Sequence, residues 1–168
     1  MSNKDFNTNT ENEQTWLTPQ HIVGALGKFD LDPCCPPDMP WATASVMNSL
    51  PTDGLSLDWS DKRVWLNPPY GRETFKWLDK LSETRSGIAL IFARTETRGF
   101  HEQIWSKADS VFFFKGRLSF HKGCGEKGGT SNAPSCLVTY SREDTAMIRV
   151  AEENGLLKGR LVLLNNGV

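Results

Sequence analysis

The sequence predicts an α/β fold with a mostly parallel central sheet and helices on both faces. Short apolar runs bounded by proline, glycine or aspartate alternate along the chain with segments whose apolar residues have helical spacing. Residues 88–93 form a continuous apolar run between turn signals, which is typical of a strand buried on both faces. Because strands and helices alternate instead of segregating, we expect helices to cover the sheet on both sides.

The first half of the chain is predicted to contain short elements. Residues 1–14 are polar and aperiodic, so we expect them to be disordered. Thr18 is placed to cap a short helix whose first residue is Pro19, because proline is favoured at the first helical position. The other elements predicted there are a strand at 29–32, a short strand at 44–48 and a turn at 53–54.

The second half alternates more regularly between strands and helices. Ser141 is expected to cap the last helix, with Asp144 in the position of a capping-box acid. The glycine-rich residues 121–134 indicate a flexible loop, and 118–120 are expected to extend or pair with the strand before them. Strands are predicted at 63–66, 88–93, 111–114, 135–140 and 161–164, and helices at 72–84, 100–107 and 142–153.

Length and charge restrict the possible classes. A chain of 168 residues fits one domain with a single core, which we place at 15–168. Its 19 basic and 20 acidic residues give a net charge of −1, so there is no global signature of nucleic-acid binding. Binding to DNA would require a local basic face, and the best candidate is 115–127 together with Arg94 and Arg98. The same charges are compatible with a solvated loop.

The cysteines do not indicate a metal site. Cys34 and Cys35 are adjacent, and His121 with Cys124 is a single ligand pair that has no second pair of suitable spacing. We therefore predict no bound metal. The chain has no apolar stretch that resembles a signal peptide, and its apolar runs are too short to cross a bilayer. These features predict a cytoplasmic protein with no membrane association.

The segment Asn67-Pro68-Pro69-Tyr70 is the most informative one in the chain. It directly follows the apolar run 64–66. Two prolines cannot continue a strand ladder, so the backbone must leave the sheet as a stiff, extended loop. The Asn67 amide, the Pro68 carbonyl and the Tyr70 ring are thereby held at the rim of the sheet. This set suits a planar group that carries an NH2, such as a nucleobase swung out of its stack.

The chemistry of an exocyclic adenine amine explains these residue types. The lone pair of that amine is delocalised into the ring, so the nitrogen is a poor nucleophile. Two acceptors aimed at its hydrogens, Asn67 Oδ1 and the Pro68 carbonyl, favour a pyramidal nitrogen and stabilise the positive charge that grows during methyl transfer. Tyr70 can stack on the extruded base. Taken alone, the four residues are also compatible with a proline-rich turn after a strand.

Six motifs occur in the same order as in one known family. They are Trp16-Leu17-Thr18-Pro19, Phe29-Asp30-Leu31-Asp32-Pro33-Cys34, Asp53-Gly54-Leu55 with Asp58-Trp59, the segment 64–71, Ala93-Arg94-Thr95-Glu96-Thr97 with Phe100-His101, and Gly116-Arg117-Leu118-Ser119-Phe120. In this order the chain resembles the small phage-type DNA N-6-adenine methyltransferases, the phage Dam-like family. The resemblance implies a Rossmann-like methyltransferase fold, S-adenosylmethionine as methyl donor, double-stranded DNA as substrate, and a phage or prophage origin.

The resemblance also implies a cofactor site at the carboxyl ends of the strands. Asp32 is expected to bind the methionyl end of S-adenosylmethionine, Asp53 its ribose hydroxyls and Asp58 its adenine amine. Trp59 would form an apolar wall, and Thr18-Pro19 would close over the amino-acid moiety. The further cofactor contacts expected are Trp16, Pro33, Cys34 and Asn67. An isolated aspartate can equally cap its own turn.

One segment departs from most enzymes of this class. Where they carry a glycine-rich loop after the first strand, this chain has Asp32-Pro33-Cys34-Cys35, and no glycine follows. The small phage-type family shares this substitution. The cofactor pose of the glycine-rich enzymes is therefore not transferred to this chain.

Catalysis and DNA binding are expected from two sets of residues. The catalytic set that the resemblance implies is Asn67, Pro68, Pro69 and Tyr70. Arg94 and Arg98 are expected to hold phosphates beside the flipped base, and Arg117 to contact DNA, with Phe120 next to the base. Thr95 and Thr97 are expected to help cap the following helix. The DNA-contacting set is completed by Thr95 and Lys122. The arginines could instead form surface salt bridges.

Other functions stay open at this point. The same tetrapeptide occurs in methyltransferases that modify a glutamine side chain, although those enzymes carry the glycine-rich loop and an extra N-terminal domain. Cytosine or RNA amines are further possible substrates, and a catalytically silent DNA-binding relative would keep the fold. We allow for a homodimer, because 120–135 is short for a target-recognition element. A role in restriction–modification, protection, regulation or packaging cannot be read from the chain.

Overall fold

Two β-sheets and four α-helices make up the described part of the protein. The computed structural model describes residues 16–122 and 126–164, except for the side chain of Trp16. The strands are β1 (Trp16–Leu17), β2 (Leu31–Asp32), β3 (Val46–Met47), β4 (Val64–Leu66), β5 (Gly87–Phe92), β6 (Ser110–Phe114), β7 (Ser119–Lys122), β8 (Lys127–Thr130), β9 (Ser135–Thr139) and β10 (Gly159–Leu163). The helices are α1 (Gln20–Gly24), α2 (Thr74–Thr84), α3 (Arg98–Phe100) and α4 (Arg142–Glu153), with a 3₁₀ turn at Gly54–Ser56 and a π-helical turn at His101–Trp105.

The larger sheet is mixed, and most of its strands run in one direction. Its seven strands have the order β10-β6-β9-β5-β4-β2-β3. The pairs β3–β2, β2–β4 and β4–β5 are parallel, whereas β9 is antiparallel to both β5 and β6. Strand β6 therefore runs in the same direction as β2, β3, β4 and β5, and β10 is antiparallel to β6. The predicted α/β class is confirmed in this form.

Helices cover both faces of this sheet, as predicted. In β4, Val64 and Leu66 pack into one buried cluster with residues of α2, whereas Trp65 packs on the opposite face with residues of α1 and α4. Strand β5 is buried along almost its whole length, which confirms the prediction of a strand covered on both sides. The alternation of faces along β4 and β5 follows from the two-residue period of an extended chain.

The smaller sheet corrects two predictions. Strand β7 does not extend or pair with β6; it pairs antiparallel with β1 and with β8, in the order β1-β7-β8. The segment 121–134, predicted to be a flexible loop, contains the end of β7 and all of β8. The glycines of β8 concealed the strand, because glycine has low strand propensity, and the pairing with β1 joins residues far apart in the sequence. Residues 123–125 lie outside the described ranges, as do residues 1–14 and 165–168.

Local corrections concern the first helix. Helix α1 begins at Gln20, and Pro19, with φ −55° and ψ 133°, is its N-cap instead of its first helical residue. Thr18 makes no capping bond, so its predicted role as N-cap is wrong.

The predicted strand at 29–32 is reduced to the two residues of β2. Ser141 does cap α4, where its hydroxyl accepts from the backbone N–H of Asp144.

The ion pair of the partly buried Arg63 and the buried Asp144 connects β4, β5 and α4 with the chain that follows α1. Arg63 Nε donates to Asp144 Oδ1 at 2.8 Å, and Arg63 Nη1 donates to the carbonyls of Leu26 and Lys28 at 2.7 and 2.9 Å. Asp144 Oδ2 accepts from the backbone N–H of Gly87 at 2.8 Å and from the Ser141 hydroxyl at 2.7 Å. The pair thus ties the amino ends of β4, β5 and α4 to the chain that follows α1.

We expect Asp144→Ala to lower the free energy of unfolding by about 3 kcal/mol, because it leaves the Arg63 guanidinium uncompensated and the Gly87 N–H unpaired. Urea unfolding followed by tryptophan fluorescence measures this. Glu73→Ala is the control, since Glu73 pairs with Lys76 at 3.0 Å on the exposed surface, and its loss should have a much smaller effect. Equal losses in the two variants would contradict the structural role of Asp144.

Candidate active site

The candidate site lies where the chain order of the larger sheet reverses. Strand β2 has β3 on one side and β4 on the other, and all three run in the same direction. Ligands of open α/β sheets bind beyond the carboxyl ends of the strands at such a switch point. Asp32 ends β2, and Asn67 follows β4 directly. The Cys34 thiol, which donates to the Asn67 carbonyl at 3.4 Å, joins the two loops.

The diproline corner leaves the sheet at this rim. Pro68 is buried, whereas Pro69 is exposed and Tyr70 is 41% exposed. The Thr74 hydroxyl at the start of α2 donates to the Pro69 carbonyl at 2.5 Å. Gly71 has φ +111°, a conformation that favours glycine, and it allows the chain to turn into α2. The corner is therefore stiff at its base and open to solvent at its tip.

The Asn67 side chain presents an unused acceptor at the corner. Its Nδ2 donates to the Thr18 hydroxyl at 3.1 Å. Its Oδ1 is buried and has no hydrogen-bond partner within the described ranges. Buried acceptors without a partner are rare, and such an atom at the switch point of the sheet is available to a ligand N–H. The contact with Thr18 was not predicted, since it joins side chains 49 positions apart.

Tyr70 stacks on Phe92, which the sequence did not single out. The ring centroids are 4.3 Å apart and the ring planes are inclined by 12°. Phe92 is the last residue of β5 and so reaches the same rim as Asn67. The Arg94 guanidinium lies 5.9 Å from the Phe92 ring centre, which is within the range of a cation–π contact. Partial burial raises the pKa of Tyr70 to about 12, so its hydroxyl stays neutral.

Asp32 is a buried carboxyl at the carboxyl end of β2. It is 2% exposed; Thr43 Oγ1 donates to its Oδ2 at 2.5 Å, and the Cys34 N–H donates to its Oδ1 at 3.2 Å. Burial raises the pKa of Asp32 to about 6, and these two hydrogen bonds oppose the rise. Burial and the nearby Asp32 also raise the pKa of Cys34 well above its usual value. Thr43 is a further residue that sequence reasoning missed.

Asp53 and Asp58 cap local turns in the structure. Asp53 Oδ1 accepts from the N–H of Leu55 at 3.0 Å, and Asp58 Oδ1 accepts from the N–H of Ser60 at 2.9 Å. Hydrogen bonds from the Ser60 side chain and backbone lower the pKa of Asp58. Both carboxylates are exposed. These contacts match the alternative that each aspartate caps its own turn. The binding of S-adenosylmethionine by Asp53 and Asp58 stays a prediction.

Trp59 lies in the core beneath these turns. It is 2% exposed, its indole N–H donates to the Gly54 carbonyl at 3.0 Å, and its ring stacks on Trp77 at 6.1 Å. A Cβ on Gly54 would lie 1.9 Å from the Pro33 carbonyl oxygen, so this close approach requires glycine. The contact brings the Asp53 turn against the loop after Asp32. Trp59 supports that arrangement from inside.

The residues predicted to contact DNA have different surroundings. Arg98 is exposed and pairs with Glu102 at 2.5 Å, and Arg117 Nη1 donates to the Ser131 carbonyl at 3.4 Å. Lys122 is exposed at the end of β7. Phe120 is 3% exposed and packs in the cluster on the α1 face, and its place beside the target base stays a prediction. The alternation along β7 turns this side chain inward.

The segment after β5 is held by its own backbone contacts. Thr97 caps α3, since its hydroxyl accepts from the Phe100 N–H at 3.4 Å. The Thr95 carbonyl accepts from the Trp105 indole at 3.1 Å. Arg94 is exposed at the rim beside Phe92, whose ring stacks on Tyr70, so this predicted DNA contact lies close to the corner.

Residues 16–122 and 126–164 contain no group of three or more His, Cys, Asp or Glu side chains that could hold a metal ion. None of the helices in these ranges is both long enough and apolar enough to span a bilayer.

The raised pKa of Asp32 predicts a pH-dependent stability. The pKa is about 6 in the folded chain and 3.8 in the reference state, so the folded chain binds this proton more tightly. Stability should therefore fall, by up to about 3 kcal/mol, as the pH rises from 4 to 6. Asp32→Asn should remove this dependence. The free energy of unfolding of the variant should therefore rise relative to that of the wild type between pH 4 and pH 6. Urea unfolding from pH 4 to pH 8 measures the difference.

Asp38→Asn is the matched control for this measurement. Asp38 is exposed in the following loop and has φ +55°, which asparagine tolerates. The control should follow the wild-type profile. A profile for Asp32→Asn that runs parallel to the wild type would contradict the assignment.

The chain is similar to proteins that methylate DNA. A profile of the family described as DNA N-6-adenine-methyltransferase (Dam) matches residues 5–160. The DNA N-6-adenine-methyltransferase of Escherichia phage T1 is 28% identical over 169 aligned positions, which cover 83% of this chain and 67% of the relative. That of Haemophilus phage HP1 (strain HP1c1) is 24% identical over 146 positions, covering 80% of this chain and 82% of the relative. No solved structure matches the chain. The extent of the profile match shows that the chain belongs to the DNA N-6-adenine-methyltransferase (Dam) family.

Proposed function

We propose that this chain transfers a methyl group from S-adenosylmethionine to the exocyclic amine of adenine in double-stranded DNA. The family and the two phage relatives support this reaction. The observation that carries it for this chain is the unpaired Asn67 Oδ1, buried at the carboxyl rim of β4 beside an exposed Tyr70. We also propose that residues 15–168 form one Rossmann-like methyltransferase domain, with the ligands at the switch between β2 and β4.

Asn67 and Pro68 orient the amine. Among the described residues Asn67 Oδ1 has no hydrogen-bond partner. The Pro69 carbonyl accepts from Thr74, so the Pro68 carbonyl is the suitable second acceptor of the corner. Two acceptors on the two amine hydrogens favour a pyramidal nitrogen whose lone pair can attack. They also stabilise the positive charge that develops on the nitrogen, which afterwards releases a proton to water. S-adenosylmethionine, when bound, supplies a methyl carbon on a sulfonium sulfur that leaves as a neutral thioether.

Tyr70 supplies the stacking surface for the extruded adenine. One face of its ring is covered by Phe92 at 4.3 Å, and the side chain is 41% exposed. The uncovered part of the ring is available to a base, which would then lie in a three-layer stack over Tyr70 and Phe92. Such a stack needs no hydrogen-bond readout, because every base has a π-face.

Asp32 is the cofactor contact that the geometry supports best. Its carboxyl is buried next to the Asn67 loop, so a ligand ammonium that paired with it would offset the cost of keeping it ionised. The charge and the position of the Asp32 carboxylate therefore fit the ammonium at the methionyl end of S-adenosylmethionine. Asp53 and Asp58 are proposed for the ribose hydroxyls and the adenine amine, because each carboxylate has oxygen lone pairs beyond its capping bond.

The DNA face is proposed around the exposed cations near the rim. Arg94 lies closest to the corner, and Arg117 and Lys122 are exposed on the segment that leads into and along β7. Their charges suit backbone phosphates, which position the duplex without reading its sequence.

We expect Asn67→Ala to lower turnover about 100-fold or more, because the variant loses an acceptor that acts as charge develops on the amine. The affinity for S-adenosylmethionine should stay within about threefold, since the Asp32 contact remains. A tritiated-methyl transfer assay on adenine-containing duplex DNA measures the first quantity and calorimetric titration the second. Asn154→Ala is the control, because Asn154 is exposed at the end of α4. Wild-type turnover in Asn67→Ala would remove Asn67 from its role.

We expect Tyr70→Ala to weaken base extrusion about 5- to 150-fold, since stacking of one base on an aromatic side chain contributes about 1–3 kcal/mol. Tyr70→Phe keeps the ring and should lose much less. A duplex with 2-aminopurine at the target position reports extrusion as a rise in fluorescence on binding. Equal signals with the alanine and phenylalanine variants would contradict a stacking role.

A further inference from the structure

We infer that Thr18 is a positioning residue that holds the Asn67 amide at the rim, with its oxygen end facing the substrate. The inference rests on the proposed function, and it gives Thr18 a role other than the cofactor contact implied by the family resemblance. It is carried by the bond from Asn67 Nδ2 to Thr18 Oγ1 at 3.1 Å together with the unpaired Asn67 Oδ1. The two ends of one amide thus have opposite environments.

The orientation matters because an amide has nearly the same shape when its ends are exchanged. In the orientation of the structure, the oxygen is free to accept from a ligand N–H. In the exchanged orientation, Nδ2 would occupy that place and would point a donor at the hydrogens of an amine. An amine whose hydrogens face Nδ2 gains no hydrogen bond from Asn67 and no stabilisation of its developing charge from it. Reaction therefore requires that one orientation dominate.

Thr18 is suited to hold the Asn67 amide because its own position is fixed from both sides. Leu17, the preceding residue, is 1% exposed and pairs with His121 in the smaller sheet. Pro19, the following residue, has a fixed φ, and its carbonyl accepts from the Ile22 N–H at 3.1 Å to start α1. Thr18 itself is 2% exposed. Its hydroxyl therefore lies at a defined point beside Asn67.

The absence of a cap on α1 agrees with this role. A threonine before a helix commonly bonds to backbone N–H groups of the first turn, yet the residue at the cap of α1 is Pro19, and no side-chain capping bond forms there. The Thr18 hydroxyl oxygen is instead used by the Asn67 amide. Helix α1 therefore has no side-chain cap, and the Asn67 oxygen stays toward the rim.

The kinetic test compares two substitutions. Thr18→Val has nearly the shape of threonine without the hydroxyl, and Thr18→Ser keeps the hydroxyl without the methyl group. We expect Thr18→Val to lower kcat about tenfold, the factor that corresponds to loss of one hydrogen bond. The Kd for S-adenosylmethionine and the KM for DNA should stay within about twofold. Thr18→Ser should restore most of the turnover.

Two kinetic outcomes would overturn the inference. If Thr18→Val raised the Kd for S-adenosylmethionine while kcat was unchanged, Thr18 would be a cofactor contact alone. If Thr18→Ser were as impaired as Thr18→Val, the methyl group and not the hydroxyl would matter, and the role would be one of packing.

A spectroscopic test needs no turnover. In protein with 15N-labelled asparagine, the Asn67 side-chain NH2 resonances can be identified from their loss in Asn67→Ala. We expect slow hydrogen exchange of this NH2 in the wild type and in Thr18→Ser, and faster exchange with shifted resonances in Thr18→Val. Unchanged Asn67 resonances in Thr18→Val would overturn the inference. If the wild type failed to methylate DNA, the proposed function would fail, while these spectra would still decide whether Thr18 orients the amide.

Discussion

The ion pair of Arg63 and Asp144 is the interaction on which the larger sheet and its helices depend. Arg63 precedes β4, and Asp144 also accepts the first N–H of β5, so the pair sets the start of both strands. Since β4 has only three residues, the position of its start determines where it ends and where Asn67 leaves the sheet. The same guanidinium holds the chain that follows α1 through two backbone carbonyls. Truncating Asp144 would leave the partly buried Arg63 charge without its partner, so this ion pair supports the start of both strands.

In the described part of the chain, the rim at the carboxyl ends of the strands holds two buried polar groups, one without a hydrogen-bond partner and one without a counter-charge. Asn67 Oδ1 has no partner in the described ranges, and Asp32 is a buried carboxyl whose pKa is raised to about 6 by that burial. Both features are unfavourable in the protein alone and become favourable when a donor or a cation binds. The rigid surroundings keep these groups from relaxing, because the corner is held by Thr74 and the amide by Thr18. Both groups are therefore suited to a ligand that carries a hydrogen-bond donor and a positive charge.

Local residue chemistry accounts for the features that could be predicted. A diproline after an apolar run must leave the sheet, and a continuous apolar run such as 88–93 must be buried on both faces, because these consequences need only neighbouring residues. The position of Asp32 at the end of a strand was predicted for the same reason, because Pro33 stops the strand after it. Phe92, Thr43 and the Thr18 bond to Asn67 were missed, since each acts through a partner far away in the sequence. The strand β8 was missed because its glycines carry no strand signal, and it pairs with β7, which also pairs with β1.

The chain alone therefore specified which chemical groups the protein can present, namely an amide, a carbonyl and a ring at one stiff corner, because proline geometry and apolar patterning act over a few residues. Tertiary structure decided how those groups are oriented and backed. Phe120 was turned into the core, Phe92 was placed behind Tyr70, and Thr18 was brought to the Asn67 amide. Such contacts arise only when distant segments pack against each other, and no local pattern encodes the partner.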